Sequence, residues 1–114
     1  GGVATTLNEF VENSAFSIEL EECAVPVAEG VASACDILGL DPLYCANEGK
    51  MLVIADRDAA DEILAALRRT PGGENAAAIG SVTTQYPGKV VLKTFLGGSR
   101  ILAKLTGAQL PRIC

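Results

Sequence analysis

The sequence has 114 residues, of which 49% are hydrophobic and 20% charged, and its formal net charge is −5 at pH 7. This composition predicts a folded domain and excludes a disordered chain. The negative charge argues against nucleic acid as a partner, because phosphate backbones bind clustered positive charge. No apolar run approaches the ~20 residues of a membrane-spanning helix, so we expect no membrane contact.

Histidine is absent, and the four cysteines show no C-x-x-C spacing. This argues against a zinc site and excludes catalytic pairs built on histidine. We therefore expect no metal ligands in this chain. A domain of this size needs no disulfide to fold, so we expect its cysteines to be thiols in a reducing cytoplasm.

Three helices are predicted. Apolar residues at helical spacing from Val3 to Val11 indicate the first. The second covers residues 29–38, stops at Gly39, and has an inner face of Val31, Ala34, Cys35 and Leu38. The third follows Asp56 as its N-cap and has acidic residues in its first turns and arginines in its last turn. Its predicted buried stripe consists of Ile63, Leu64 and Leu67.

The strand signals surround these helices. Alternating residues 16–21 predict a half-buried strand, and the apolar run 51–55 predicts a central strand covered on both faces. Residues 77–84 and 90–95 are rich in strand formers, and Gly97-Gly98 joins the latter to residues 99–105 as a hairpin. The order predicts an α+β domain, residues 1–106, with a mainly antiparallel sheet packed with helices. Residues 107–114 read as a flexible, extended tail.

That tail ends in Pro111-Arg112-Ile113-Cys114, and a chain ending this way resembles the HypE family of hydrogenase-maturation proteins. The opening GGVATTLNE, the DPLY segment from Asp41 with the following ANEGK, and Gly97-Gly98-Ser99-Arg100 are similar to that family in the same order. Cys45 and Ala108 depart from it, where we expect an aliphatic residue and an acid. The resemblance implies the C-terminal domain of the AIR synthetase-related (PurM-like) superfamily. Because the sequence opens on Gly1-Gly2 without Met, we read it as part of a longer chain.

The resemblance implies an ATP-dependent carbamoyl dehydratase. Its C-terminal cysteine carries a carbamoyl group, which is dehydrated to a thiocyanate that supplies cyanide ligands for the iron of [NiFe] hydrogenase. Implied partners are the carbamoyltransferase HypF, the HypC–HypD complex, the chain's own N-terminal domain and a second copy in a homodimer. ATP and Mg²⁺ bind mainly to the N-terminal domain, so we expect this part alone to be inactive. The implied location is the cytoplasm.

Each implied site residue has a plainer alternative. Cys114 is the expected carbamoyl acceptor, since a thiolate is a good nucleophile on a mobile tail that Pro111 stiffens and Arg112 guides. Glu48 is the expected general base and Asn47 orients the carboxamide; the alternative is a surface loop. The helix N-terminus is expected near phosphate, or else is an ordinary junction, and its residues in question are Gly1, Gly2, Thr5, Thr6 and Asn8.

Two other functions remain open at this point. One is a non-catalytic carrier or docking module that presents Cys114 to partner proteins. The other is a different member of the superfamily, a kinase or synthetase for a small metabolite, which would keep its activity without Cys114.

Overall fold

The computed structural model describes residues 1–105. Within that range it contains helices α1 Gly2–Val11, α2 Glu29–Leu38 and α3 Ala60–Arg68, and strands β1 Ser17–Glu21, β2 Gly80–Thr83, β3 Val90–Lys93 and β4 Ser99–Ile101. Single 3-10 turns lie at Glu22–Ala24, Pro42–Tyr44 and Arg57–Ala59. The predicted tail and its residues Pro111, Arg112 and Cys114 lie outside the described residues.

The four strands form one sheet in the order β2-β1-β3-β4. The predicted α+β class is confirmed, and the β3–β4 hairpin is antiparallel as expected. The sheet is nevertheless mixed, because its central pair, β1 with β3, is parallel while β1 with β2 is antiparallel. Alternating residues predict that a strand exists, but the direction of its neighbour is set by connections that are distant in sequence.

One face of the sheet carries the core, against which α1 packs. Ile18 and Leu20 lie opposite Val90 and Leu92 across the parallel pair, and all four side chains are buried. The core cluster also contains Ala4, Leu7, Val11, Leu43 and Leu102. Burial of these aliphatic side chains accounts for Leu7 and Val11 of the predicted α1 stripe and for the predicted inward side chains of β1. Phe10 and Phe16, which were also predicted to face inward, are exposed.

A buried amide fastens α1 to the end of the sheet. The Asn8 side-chain nitrogen donates to the Ala4 carbonyl and to the Leu102 carbonyl, each at 2.8 Å. Leu102 directly follows β4, so this bond joins the first helix to the last described strand. A buried amide without such partners would cost about 1–3 kcal/mol, which makes Asn8 part of the framework.

The prediction of a central strand over residues 51–55 was wrong. The described structure places no strand there, and Met51 is 82% exposed, with Val53 and Ile54 also exposed. The bounds of α2 were right, but of its predicted inner face only Cys35 is buried, while Val31 and Leu38 are exposed. The α3 stripe of Ile63, Leu64 and Leu67 is half-buried. A pattern of apolar residues predicts that one face of an element is covered, but it does not identify the element that covers it.

Across residues 1–105, no helix is both long enough and apolar enough to cross a membrane.

Candidate active site

Three sequence segments that carry the family resemblance meet in space. The start of α1 packs against the 3-10 turn Pro42–Tyr44, and β4 contributes Arg100 to the same turn. At Gly2 φ is +75°, and a Cβ there would come within 2.6 Å of the Cys45 carbonyl oxygen. Only glycine accepts both this conformation and this contact, so Gly2 allows the helix N-terminus to approach the turn closely.

Asp41 fixes the turn at its beginning. One carboxylate oxygen accepts from the Leu43 backbone N–H at 3.0 Å, which caps the turn. The other accepts from Arg100 Nη2 at 3.2 Å. One side chain therefore joins the turn to the edge strand β4.

Leu43 and Tyr44 fix the turn further along. The Leu43 side chain is buried in the core, and the Tyr44 hydroxyl donates to the Ala103 carbonyl. Burial raises the pKa of Tyr44 above its ordinary value, Arg100 opposes that rise and Asp41 adds to it. Tyr44 thus stays a protonated donor at neutral pH, which suits its bond to the Ala103 carbonyl.

The residues after this anchored turn are presented to solvent. Asn47, Glu48 and Lys50 are all exposed, and Gly49 turns the chain with φ of +77°. An exposed polar loop on a fixed base is a common arrangement for reactive side chains. Glu48 and Asn47 are therefore accessible, and their loop begins directly after Cys45, whose carbonyl oxygen lies against Gly2.

The predicted phosphate-proximal residues divide into two groups. Gly1 and Gly2 lie at the start of α1, whose first N–H groups have no side-chain cap within the described residues, and Thr5 is half-buried beside Gly1. The Thr6 hydroxyl donates to the Gly2 carbonyl at 3.1 Å, inside the helix. The Asn8 amide is engaged in the framework as described above. The helix end, with Gly1, Gly2 and Thr5, is the part best placed to meet an anion.

Two cysteines approach each other behind the turn. Cys35 of α2 and Cys45 have their sulfur atoms 4.0 Å apart, and the Cys45 thiol lies 3.5 Å from the Asp41 carbonyl oxygen. Burial raises the pKa of Cys45, and the hydrogen bond with Cys35 raises it further. A raised pKa leaves less thiolate, so Cys45 is a poor candidate for a carbamoyl acceptor.

Among residues 1–105, no group of three or more Cys, Asp or Glu side chains is arranged to hold a metal ion.

Two glycine-to-alanine substitutions, one at Gly2 and one at Gly30, test the close approach of the backbone at Gly2. Gly2→Ala is expected to lower the free energy of unfolding by about 1–3 kcal/mol, because Ala is strained at positive φ and its Cβ meets backbone. Gly30→Ala is the matched control on α2, where an added Cβ meets nothing within 4 Å. That change should raise the same quantity by up to about 1 kcal/mol. Urea denaturation measures both, and equal stability for the two variants would contradict the packing at Gly2.

Sequence reasoning singled out these segments but missed the contacts that join them. The Asp41–Arg100 ion pair, the Tyr44–Ala103 bond and the Cys35–Cys45 approach all connect residues that no local pattern relates. The only available signal was indirect, since Asp41 and Arg100 both belong to segments that carry the family resemblance.

Comparison with known proteins adds to this geometry. Residues 1–93 match the family "AIR synthase related protein, C-terminal domain". The chain is 47% identical over 114 residues to carbamoyl dehydratase HypE of Azotobacter vinelandii and 49% identical to that of Bradyrhizobium diazoefficiens. Both alignments cover 100% of this chain and 33% of the relative, so the chain spans about a third of their length.

Solved structures give the same result. A crystal structure of the hydrogenase maturation protein HypE superposes with a TM-score of 0.91 at 51% identity, covering 100% of this chain and 37% of that one. A HypE crystal structure in complex with ATP gives 0.88 at 47% identity, covering 96% and 34%. A crystal structure of a HypE–HypF complex gives 0.85 at 38% identity, covering 92% and 34%.

Proposed function

Since the chain belongs to the family of AIR synthase related proteins, as their C-terminal domain, and matches the C-terminal third of HypE proteins, we propose that it is the C-terminal domain of a carbamoyl dehydratase. The observation that carries this proposal is the 47–49% identity to carbamoyl dehydratases along all 114 residues. The reaction is the ATP-dependent dehydration of a carbamoyl group on Cys114 to a thiocyanate, which supplies cyanide for the iron of [NiFe] hydrogenase.

Cys114 is the carbamoyl acceptor in this proposal. A thiolate forms the thiocarbamate readily, and the sulfur then holds the carbon while the carboxamide is dehydrated to the thiocyanate. Nine residues, 106–114, follow the described part of the chain. Pro111 limits the conformations of this segment, and Arg112 offers a bidentate donor for phosphate or carboxylate.

Glu48 is the proposed base. The carboxamide nitrogen must lose two protons as the carbon–nitrogen triple bond forms, and a carboxylate in reach of that nitrogen accepts a proton. ATP, when bound, supplies the phosphoryl group that makes the carboxamide oxygen a leaving group. Asn47 has both an amide donor and an acceptor, which suits it to orient the carboxamide. The exposure of both side chains on a fixed turn supports these roles.

The N-terminus of α1 is the proposed contact with phosphate oxygens. Gly1, Gly2 and Thr5 lie there, and backbone N–H groups at a helix start favour an anion. No basic residue lies in the first turn of α1, whose sequence runs from Gly2 to Thr5, so most of the phosphate charge must be balanced elsewhere. The N-terminal domain is the proposed source of that balance, including Mg²⁺, and this chain alone is therefore expected to lack activity.

The chain's own N-terminal domain is the first proposed partner. Exposed apolar side chains support this partner, because large exposed apolar surfaces usually mark an interface. They lie on α2, in the segment with Met51, Val53 and Ile54, and at Phe95 and Leu96. HypF is the proposed loading partner, supported by the HypE–HypF complex of a relative. The proposed acceptor of the cyano group is the HypC–HypD complex. The whole protein is proposed to be a homodimer located in the cytoplasm.

Mass spectrometry tests the proposal directly. The full-length protein is incubated with HypF, carbamoyl phosphate and ATP, and the C-terminal peptide is then sequenced in the spectrometer. We expect a carbamoyl mass on Cys114 that subsequently loses one water. An unmodified Cys114, under conditions where an established HypE is loaded, would reduce the finding to a shared fold.

A further inference from the structure

The two cysteines that meet beside the turn Pro42–Tyr44, Cys35 and Cys45, have no part in the proposed reaction. Cys35 is 5% exposed on α2, Cys45 is half-buried, and their sulfurs are 4.0 Å apart. The two thiols come from different segments, since Gly39 ends α2 in the left-handed conformation and Cys45 lies beyond the turn Pro42–Tyr44. Two thiols this close can form a disulfide when one of them is oxidised.

We propose that Cys35 and Cys45 are an oxidation site that closes into an intramolecular disulfide when the protein meets a peroxide or a low-molecular-weight disulfide. This inference is independent of the proposed dehydration, since it concerns only the two thiols and their oxidant.

The geometry requires a small adjustment. A disulfide bond is about 2.05 Å long, so the two sulfurs, now 4.0 Å apart, must approach by about 2 Å in total. Cys45 terminates the 3-10 turn in an extended conformation, with φ of −75° and ψ of 127°. This backbone conformation is ordinary, so Cys45 carries no backbone strain before closure.

The reaction balances in two steps. Hydrogen peroxide oxidises the Cys45 thiol, the more accessible of the two, to a sulfenic acid and is itself reduced to water. Because the pKa of Cys45 is raised, this step is slow at neutral pH and becomes faster as the pH rises. The Cys35 sulfur then attacks the Cys45 sulfur, the S–S bond forms, and the sulfenic oxygen leaves as a second water with the Cys35 proton. With glutathione disulfide the first product is a mixed disulfide at Cys45, and Cys35 displaces glutathione thiolate.

Formation of the disulfide would fix the start of the loop 46–50, which carries Glu48. Cys45 immediately precedes residues 46–50, and its carbonyl oxygen lies against Gly2. A bond from Cys45 to α2 would hold the loop, the turn and the second helix as one unit. The disulfide is therefore expected to slow backbone hydrogen exchange over residues 45–50.

Peptide mapping of the full-length protein tests the pair. Cleavage after Glu and before Asp places Cys23, Cys35 and Cys45 on separate peptides, 23–29, 30–35 and 41–48. After oxidation by glutathione disulfide, alkylation and digestion, we expect peptide 30–35 linked to 41–48 within a single chain. A dithiol reductant should return both cysteines to the alkylated form.

Cys23→Ser is the matched control, because Cys23 is exposed and outside the pair. The linked peptide should persist in that variant and disappear in Cys45→Ala. The proposal is overturned if glutathione remains attached to Cys45 while Cys35 is alkylated on unfolding, or if the linked peptides come only from covalent dimers on a non-reducing gel. Since the wild-type digest alone decides between these outcomes, the test does not depend on the folding of either variant.

Discussion

Cys114→Ala in the full-length protein is expected to abolish both carbamoyl loading and dehydration. Without the thiol there is no acceptor, so the intact mass should not change after incubation with HypF, carbamoyl phosphate and ATP. ATP binding should be retained, because Cys114 carries the substrate and is not proposed to contact the nucleotide. The measurement is intact mass, with ATP binding by calorimetry as the check on folding.

Cys23→Ala is the control for that experiment, because Cys23 is an exposed cysteine that the mechanism does not use. It should load and dehydrate as the wild type does. A carbamoyl mass that persists in Cys114→Ala would place the acceptor on another residue. Full ATP-dependent turnover of a small metabolite by that variant would favour a kinase or synthetase of the same superfamily.

Glu48→Gln in the full-length protein is expected to load normally and dehydrate about 10²- to 10⁴-fold more slowly. Glutamine keeps the size of the side chain but cannot accept the proton from the carboxamide nitrogen. Because Glu48 is exposed and outside the core, its replacement should leave stability almost unchanged. The carbamoylated species should therefore accumulate in the mass spectrum, and its conversion can be followed with time.

Glu62→Gln on α3 is the matched control, since Glu62 is exposed and lies outside the site. Its dehydration rate should equal that of the wild type. If Glu48→Gln also dehydrates at the wild-type rate while Cys114→Ala is inactive, the domain serves as a carrier that presents its cysteine, and the base lies on another domain.

Local patterns predicted the elements of this fold well where the element packs within the chain. Helix α1 buries Leu7 and Val11 of its predicted stripe, although Phe10 is exposed, and β1 buries Ile18 and Leu20. The bounds of α2 were predicted because Gly39 takes the left-handed conformation, with φ of 68°, that ends a helix. These features depend on neighbours only a few residues apart, which sequence periodicity records.

The run 51–55 shows the limit of that reasoning. Its apolar residues indicated burial on both faces, whereas Met51, Val53 and Ile54 are exposed in this chain. A continuous apolar run does not identify its covering element, and that element need not lie in the same domain. The parallel pairing of β1 with β3 escaped prediction for a related reason, since their registers depend on residues some seventy positions apart.

The candidate site was predicted only as separate segments. The resemblance singled out the opening glycines, the turn after Asp41 and Arg100, but their proximity follows from tertiary contacts such as the Asp41–Arg100 ion pair. The positive φ of Gly2 is a comparable case. A glycine at a helix start is ordinary in sequence, and the backbone of Leu43 and Cys45 makes it necessary here.

The bonds from Asn8 to Leu102 and from Tyr44 to Ala103 determine where the C-terminal segment begins. The eleven residues 104–114 follow that anchor, and fully extended they reach at most about 40 Å. That length sets an upper limit on the distance from Ala103 at which the Cys114 thiol can react. In the proposed reaction the carbamoyl group on Cys114 and the base Glu48 belong to one chain, so we expect the rate of dehydration to be independent of protein concentration.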